Sequence, residues 1–368
     1  MGREVPVGRR NLLSDRRRVA VSLLGVGLAV ALMLLIQGLW SGTLTRITAY
    51  EDSIGAHLFV AERGTRSFQS DVSAVPPSAV NRIREVPGVQ AADPIAARQL
   101  ILELHGGQMP VTLIGSRSGG LGGPWALEAG RAVATDDQVV IDAGLAASHG
   151  YELGDRFGLL GVPFQIVGLS PDSRAFGNGG YLFVSQAAAG RLLGTRGATS
   201  FVLVRAKDPA AVAGQIQTRT GLDVLTVEEI ARGDRELYED TLGSVIRVML
   251  AIAFAAGTLI VALSVYSSIV DRIREYGIVK ALGAGRRRLF GIVLAQTVAL
   301  ALAGGVAGLG LFLAAAAAVG TWFPEFYLQL PGSVLVAAFV ALAAMALVAA
   351  VLPARRIGRL DPASVYRG

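Results

Sequence analysis

Histidines, serines, carboxylates and glycines are the residues whose spacing announces chemistry, and in this sequence they form no reactive set. His57, His105 and His149 stand singly, without H-E-x-x-H or any comparable spacing that would seat a metal, and read as ordinary turn or surface residues. The run Gly115-Ser-Arg-Ser-Gly119 puts arginine where a G-x-S-x-G elbow needs its serine. Gly119, Gly120, Gly122 and Gly123 read as a flexible loop, and no G-x-x-x-x-G-K-[ST] phosphate loop occurs in the sequence. The absence of cysteine excludes disulfides, thiolate metal sites and a cysteine nucleophile, and leaves the compartment open. The expectation is a non-catalytic chain with no metal and no cofactor of its own.

The informative pattern lies elsewhere, in Asp271-Arg-Ile-Arg-Glu-Tyr-Gly-Ile-Val-Lys-Ala-Leu-Gly-Ala-Gly285. Mixed charges, small residues for close approach and a glycine stop describe a short helix that can transmit force as a lever, with Glu275 able to pair with a basic groove. A merely basic loop beside a membrane accounts for Arg286, Arg287 and Arg288. It does not account for the ordered Glu275, Gly277, Ala281 and Gly283.

The elements that must position this segment are membrane helices. The chain is 52% hydrophobic and 17% charged, where soluble domains carry about 25% charged residues. Four charge-free stretches, 19–45, 248–270, 289–324 and 326–354, exceed the roughly 20 residues needed to cross hydrocarbon. The first is too long for a signal-peptide core and reads as an uncleaved anchor. Arginine and lysine cluster before the first span, between the second and third, and after the fourth, so both termini are expected in the cytoplasm, with the protein spanning the cytoplasmic (inner) membrane. That placement of the net +6 charge argues against nucleic acid as a partner.

The organisation expected is a cytoplasmic amphipathic helix (1–18), a first span (19–45), an extracytoplasmic domain (46–240), a second span (244–270), a cytoplasmic loop (271–288), a third span (289–318), a short outer loop (319–332), a fourth span (333–353) and a cytoplasmic tail (354–368). Gly304 and Gly308 make a G-x-x-x-G that suits either packing within the chain or contact with a second copy. In the outer domain, 57–62, 77–85 and 89–92 read as strand, helix and strand, and 200–206, 209–218 and 222–227 repeat that order. The duplicated β-α-β units predict a ferredoxin-like layer. Strand-like segments at 99–104, 110–114, 138–141 and 164–167, separated by glycine turns, predict a β-rich subdomain between them. The fold class expected is therefore α-helical membrane protein, four transmembrane helices, plus an α+β extracytoplasmic domain.

With these residues in view, the 271–285 segment closely resembles the R-x-x-E-I-G-x-x-x-A-L-G-A signature of MacB, LolC, FtsX and related permeases of type VII ABC transporters. The tail from Pro353 to Ala363 resembles the family's closing segment, and the start from Arg10 to Arg18 its opening amphipathic helix. Val140-Ile-Asp-Ala-Gly-Leu-Ala-Ala147, Gly154-Asp155 and Phe164-Gln-Ile-Val-Gly168 are similar to the MacB-like core. The resemblance implies that Arg272, Arg274, Glu275, Tyr276, Gly277, Lys280, Ala281, Leu282 and Gly283 couple to an ABC ATPase. Since the chain lacks a phosphate loop, ATP and magnesium would sit on a separate ATPase subunit, in two copies with a permease homodimer. Membrane lipids and an extracellular or periplasmic adaptor are further partners compatible with the resemblance. The implied function is export or extraction of a hydrophobic substrate (lipid, haem or drug-like) by mechanotransmission; the alternative is an FtsX-like signal transmitter acting on an extracellular partner. Tyr276 stands where many members have isoleucine, which is similar to the DevC/HrtB branch of glycolipid and haem exporters. In that branch Met33, Tyr238 and Glu239 are chemically able to bind substrate iron, against the plainer reading of a packing methionine and interfacial residues.

Overall fold

The computed structural model describes residues 16–104, 107–175, 178–194, 199–271, 273–281, 285–323 and 326–358. Arg272, Leu282 and Gly283, most of the opening basic segment and the end of the tail lie outside them. The chain divides into two compact units, one drawn from Met1–Ser41, Ser244–Trp322 and Leu328–Gly368, the other from Gly42–Gly243 and Phe323–Tyr327.

Among the described residues, four helices are long and apolar enough to cross a membrane. They are α1 (Arg16–Arg46), α7 (Val227–Asp271), α9 (Arg286–Trp322) and α10 (Gly332–Gly358), with the short α8 (Ile273–Ala281) between the second and third. In hydrocarbon the backbone must satisfy its own hydrogen bonds, which only unbroken helices of this kind achieve. Lipid gives helices no hydrophobic reason to associate, so close packing through small residues has to supply the attraction. It does so here. A Cβ on Gly308 would lie 2.7 Å from Val30 Cβ and 2.8 Å from the Gly27 carbonyl, and one on Gly304 would collide with Val26. The G-x-x-x-G of α9 thus faces α1 of the same chain. Gly257 of α7 meets Met345 of α10 and Ala29 of α1 in the same way, and Val26, Val261, Val293 and Met345 are fully buried where the helices meet.

Among its described residues the second unit has ten strands, in the order β10-β1-β9-β2-β3-β8-β5-β7-β4 with β6 paired to β7. The first four in that order form the ferredoxin-like layer. Strand β1 (Leu58–Ala61), helix α3 (Pro77–Arg84) and the start of β2 (Val89–Leu104) make one β-α-β unit. Strand β9 (Phe201–Ala206), helix α6 (Pro209–Thr220) and β10 (Asp223–Thr226) make the other, and all the pairings are antiparallel. Alternation along β1 assigns the faces. Leu58 and Val60 pack with Val80, Ile83, Val212 and Ile216 of the helices, while Phe59 and Ala61 turn to an aromatic core with Phe68 and Phe201.

Where the sequence suggests separate strands at 89–92 and 99–104, the structure has one strand of 16 residues. Its first half pairs with β9 and its second half, from Ala96 on, with β3 (Gly107–Ser116). Pro94 sits in the half that has a single neighbour, so its missing N–H costs no ladder bond on the open side. The strand therefore carries the layer into the β-rich subdomain, which holds β4 (Ala129–Gly130), β5 (Gln138–Asp142), β6 (Arg156–Leu159), β7 (Val162–Ser170) and β8 (Tyr181–Ser185). Short helices α4 (Ala143–His149) and α5 (Gln186–Leu192) cover it, and α2 (Ala49–Ser53) follows α1. Strands β3 and β8, and β5 and β7, run parallel.

The packing of α9 on α1 is testable with an internal control. Gly308→Leu is expected to destabilise the purified protein by about 2 kcal/mol through overpacking, seen as a lower thermal midpoint in detergent. Gly310→Leu, two residues along, where an added Cβ meets nothing within 4 Å, is expected to leave the midpoint near wild type.

Candidate functional site

Helix α8 carries the family-like segment and presents two faces. Arg274, Glu275 and Ile278 are exposed, whereas Tyr276 is 8% exposed and packs with Val279 against the apolar cluster of the membrane helices. At 100° per residue these two sets fall on different sides of a helix. The backbones of Gly277, Lys280 and Ala281 continue it. The charged and apolar outer face is suited to another protein, and the inner face ties α8 to its own chain.

That tie includes polar groups. Tyr276 Oη lies 3.5 Å from Gln296 Oε1 of α9, a long approach, and Gln296 Nε2 donates to Ser268 Oγ of α7 at 2.9 Å. An amide in an apolar helix is costly unless bonded. Gln296 meets that requirement by joining three helices.

Helix α7 is 45 residues long, about 68 Å at 1.5 Å per residue. Its start is locally encoded. Thr226 Oγ1 accepts from the Glu229 N–H at 3.2 Å and the Thr226 N–H donates to Glu229 Oε2 at 2.8 Å, a reciprocal capping box, and Glu228 and Glu229 place negative charge at the positive helix end. Ile230, Ala231 and Asp234 are buried in the outer unit, while Glu228, Arg232 and Glu236 are exposed. Gly233 fits only because it lacks a side chain: a Cβ there would run into the Arg66 carbonyl. In the sequence the polar run 234–240 reads as a stalk just outside the second span; in the structure its first turn is part of the core of the second unit.

Asp234 is the centre of this anchorage. The Ser67 hydroxyl donates to its Oδ1 at 2.5 Å and the Gln69 N–H at 3.1 Å. Gln69 Nε2 donates in turn to Tyr181 Oη at 2.8 Å and to the Ile47 carbonyl at 3.2 Å. Arg235, the next residue, donates to Thr48 Oγ1 at 2.9 Å and lies 3.6 Å from Asp52 of α2. Burial pushes the Asp234 carboxyl up to about 6, and burial with the neighbouring Asp234 charge pushes Glu51 well above the carboxylate range. Neither Glu51 nor its partner groups are marked by any motif; the sequence offers only an acidic residue next to Asp52 in a short segment after the first span.

A second buried ionic group supports the β-rich subdomain. Asp142 caps α4, accepting from the N–H groups of Gly144 and Leu145, and also accepts from Ser173. Arg174, 3% exposed, pairs with Asp172 at 2.9 Å and lies 3.9 Å from Asp142. Burial raises Asp142 to about 6 in spite of these bonds. Arg46, at the end of α1, pairs with Asp172 at 3.1 Å and stacks 4.2 Å over the Tyr327 ring.

Of the residues named for substrate contact, Met33 packs, partly buried, against the apolar cluster of the membrane helices. Tyr238 is half-buried on the outer part of α7, its phenol pushed up by burial, and Glu239 is exposed. Among the described residues no three His, Asp or Glu side chains are grouped to hold a metal ion.

Helix propensity alone would make Gly233→Ala stabilising by about 1 kcal/mol. The collision with Arg66 opposes it, and the expected outcome is net destabilisation by about 1–2 kcal/mol. Protease protection of the outer domain in full-length protein checks this; greater protection than wild type would show that the helix is not seated as described.

The likenesses of this chain to known proteins bear on the same two regions. Residues 19–219 match the MacB-like periplasmic core domain and residues 247–362 the FtsX-like permease C-terminal domain. An uncharacterized ABC transporter permease of Mycobacterium tuberculosis (strain H37Rv) is 27% identical over 367 residues, covering 98% of each chain. The pyoverdine export ATP-binding/permease protein PvdT of Pseudomonas putida is 24% identical over 380 residues, covering 95% of this chain and 57% of PvdT. The macrolide export ATP-binding/permease protein MacB of Burkholderia cenocepacia is also 24% identical, over 383 residues, covering 95% of this chain and 55% of MacB. The periplasmic region of MacB from Actinobacillus actinomycetemcomitans superposes with TM-score 0.37 at 13% identity, over 49% of this chain and 92% of that one. With one domain match spanning more than half of the sequence and the other the C-terminal membrane helices, the chain belongs to the MacB/FtsX-type ABC transporter permeases.

Proposed function

We propose that this permease docks a separate ABC ATPase through the outer face of α8 and that α7 carries the resulting motion to the outer domain, exporting or extracting a hydrophobic substrate. The observation that carries the reading is the two-faced α8 joined to a neighbour that is one unbroken helix: Arg274, Glu275 and Ile278 outward, Tyr276 and Val279 against the bundle. A rigid helix keyed into the outer domain at Gly233 and Asp234 transmits displacement rather than absorbing it.

A relative named as an ABC transporter permease and matched over 98% of its length supports a separate ATPase, and the two exposed charges on α8 suit a groove of mixed charge. A homodimer with two ATPases follows the family pattern. A polar route through the bundle is disfavoured, because apart from hydroxyl groups the uncharged polar side chains of the spans are Gln37 and Gln296, and Gln296 is engaged by Ser268 and Tyr276. That favours a substrate taken from the lipid phase or at its surface. Two relatives are named for export of pyoverdine and macrolides, which supports export over signalling.

The test is recovery of the ATPase with tagged permease from native membranes, followed by hydrolysis assays in nanodiscs. Glu275→Arg is expected to abolish recovery. Tyr276→Phe is expected to preserve recovery yet lower substrate-stimulated hydrolysis about threefold, in line with the ~0.6 kcal/mol of an average hydrogen bond between membrane helices. Equal ATPase recovery with Glu275→Arg would overturn the docking assignment. Stimulation by a soluble extracellular protein, with none by lipid, haem or drug, would overturn export.

A further inference from the structure

Glu51 of α2 is the most anomalous side chain in the outer unit. It is 1% exposed, and neither carboxyl oxygen has a hydrogen-bond donor; Asp234, 0% exposed, has one oxygen in the same condition. The two carboxyls lie within hydrogen-bonding reach of each other. Ionised, both can only accept, and two such charges in an apolar surround repel without compensation. Something positive or proton-bearing has to stand between them.

We propose that Glu51 and Asp234 form a proton-binding site, in which one proton held between the two carboxyls clasps α2 to the head of α7. The surrounding groups select a proton over a metal cation. Asp234 Oδ1 already receives two donors, the Ser67 hydroxyl and the Gln69 N–H, an environment made for a carboxylate and the wrong polarity for a cation. Asp234 is therefore the ionised member and Glu51 the neutral one, its O–H donating to Asp234 Oδ2. The other titratable and charged groups facing the pair do not remove the need for that proton. On α2, Tyr50 donates to the Gly122 carbonyl at 3.1 Å, and Asp52 adds negative charge. On β8, Tyr181 donates to the Ile47 carbonyl at 3.1 Å; burial, with the nearby charge of Asp234, holds its phenol protonated. On α7, Tyr238 stays neutral, and Arg235 is engaged by Thr48 and Asp52.

The site makes the grip on α7 depend on pH. The folded pair keeps protons that the unfolded chain releases above about pH 4. The stability contributed by the pair is thus greatest at low pH and falls as pH rises through the Asp234 value of about 6, with a further loss when the last proton leaves and both carboxyls charge. Asp142 contributes a slope of the same sign, so the diagnostic quantity is the difference between wild type and a variant at the pair.

The experiment uses the full chain in lipid nanodiscs. Infrared difference spectra of wild type at about pH 7 should contain the C=O stretch of a neutral carboxylic acid, shifted by deuterium exchange and missing in Glu51→Gln. Glutamine imitates the neutral acid, so this variant should match or exceed the wild-type thermal midpoint at alkaline pH and flatten its decline between about pH 4 and 6. Asp234→Asn, read by the same band, serves if Glu51→Gln does not assemble. Absence of a neutral-acid band that responds to either substitution would overturn the proposal. So would a wild-type midpoint raised by sodium, magnesium or calcium and unaffected by them in Glu51→Gln, since that pattern belongs to a bound cation.

Discussion

A helix that continues from a folded aqueous domain into hydrocarbon is subject to two solvents and one backbone. In lipid the chain cannot leave a single N–H or C=O unpaired, and in water a helix of a few turns is only marginally stable by itself. Helix α7 meets both demands within 45 residues. Its apolar part is held by the bilayer's intolerance of any other backbone. Its outer part, with sequence as polar as Val-Glu-Glu-Ile-Ala-Arg-Gly-Asp-Arg-Glu, is held by the capping box at Thr226 and Glu229 and by burial of Ile230, Ala231 and Asp234. Were either contribution missing, a bend or unwound turn would form between them, and force applied at one end would be spent on flexing. The continuity of this helix is what the proposed docking face of α8 would act upon.

The two units answer the packing problem in different ways, for solvent reasons. The outer unit faces water and uses large side chains: Tyr50, Phe59, Phe68, Phe183 and Phe201 gather in one cluster, with Tyr50 stacked 5.1 Å from Phe68. Burial of such area is strongly favoured in water. The membrane helices gain nothing comparable by hiding apolar surface from lipid, and instead bring backbones together at Gly27, Gly257, Gly304 and Gly308.

The same difference decides what could be read from sequence. The membrane helices were legible because charge-free runs of that length have one physical solution. The ferredoxin-like layer was legible because two β-α-β patterns repeat in the same order, and β1, α3, β9, α6 and β10 lie within a residue or two of where alternation and helical spacing put them. Strand β2 reads in the sequence as two segments, 89–92 and 99–104, and only the change of neighbour from β9 to β3 explains why it is one strand. The start of α7 was missed for a related reason: Asp234 interrupts the apolar stripe of 227, 230, 231 and 238, so the segment reads as a polar stalk. Glu51 was invisible. Nothing local distinguishes it from the exposed Asp52 beside it, and its burial arises only when α2, the 67–69 segment and α7 converge. Of the docking face, the sequence showed which residues belong to α8 but not that Tyr276 turns inward.

Why a carboxyl pair should hold α2 to α7 at all follows from comparing alternatives. Well-packed apolar side chains of similar volume often stabilise a buried site as well as an ionic one does, or better. Such a clasp would grip with one strength under every condition. A pair sharing a proton grips strongly while the proton stays and repels once it leaves, because the low dielectric that makes the shared bond strong also magnifies the repulsion of two bare charges. Ser67 and Gln69 keep Asp234 ready to accept, and Tyr181 and Gln69 brace that arrangement against the Ile47 carbonyl at the foot of α2. The head of α7 is therefore fixed by steric fit at Gly233, which is permanent, and by a bond at Asp234, which is conditional. If α7 transmits motion as proposed, the first keeps it in register and the second gives a point at which its hold on the domain can be released.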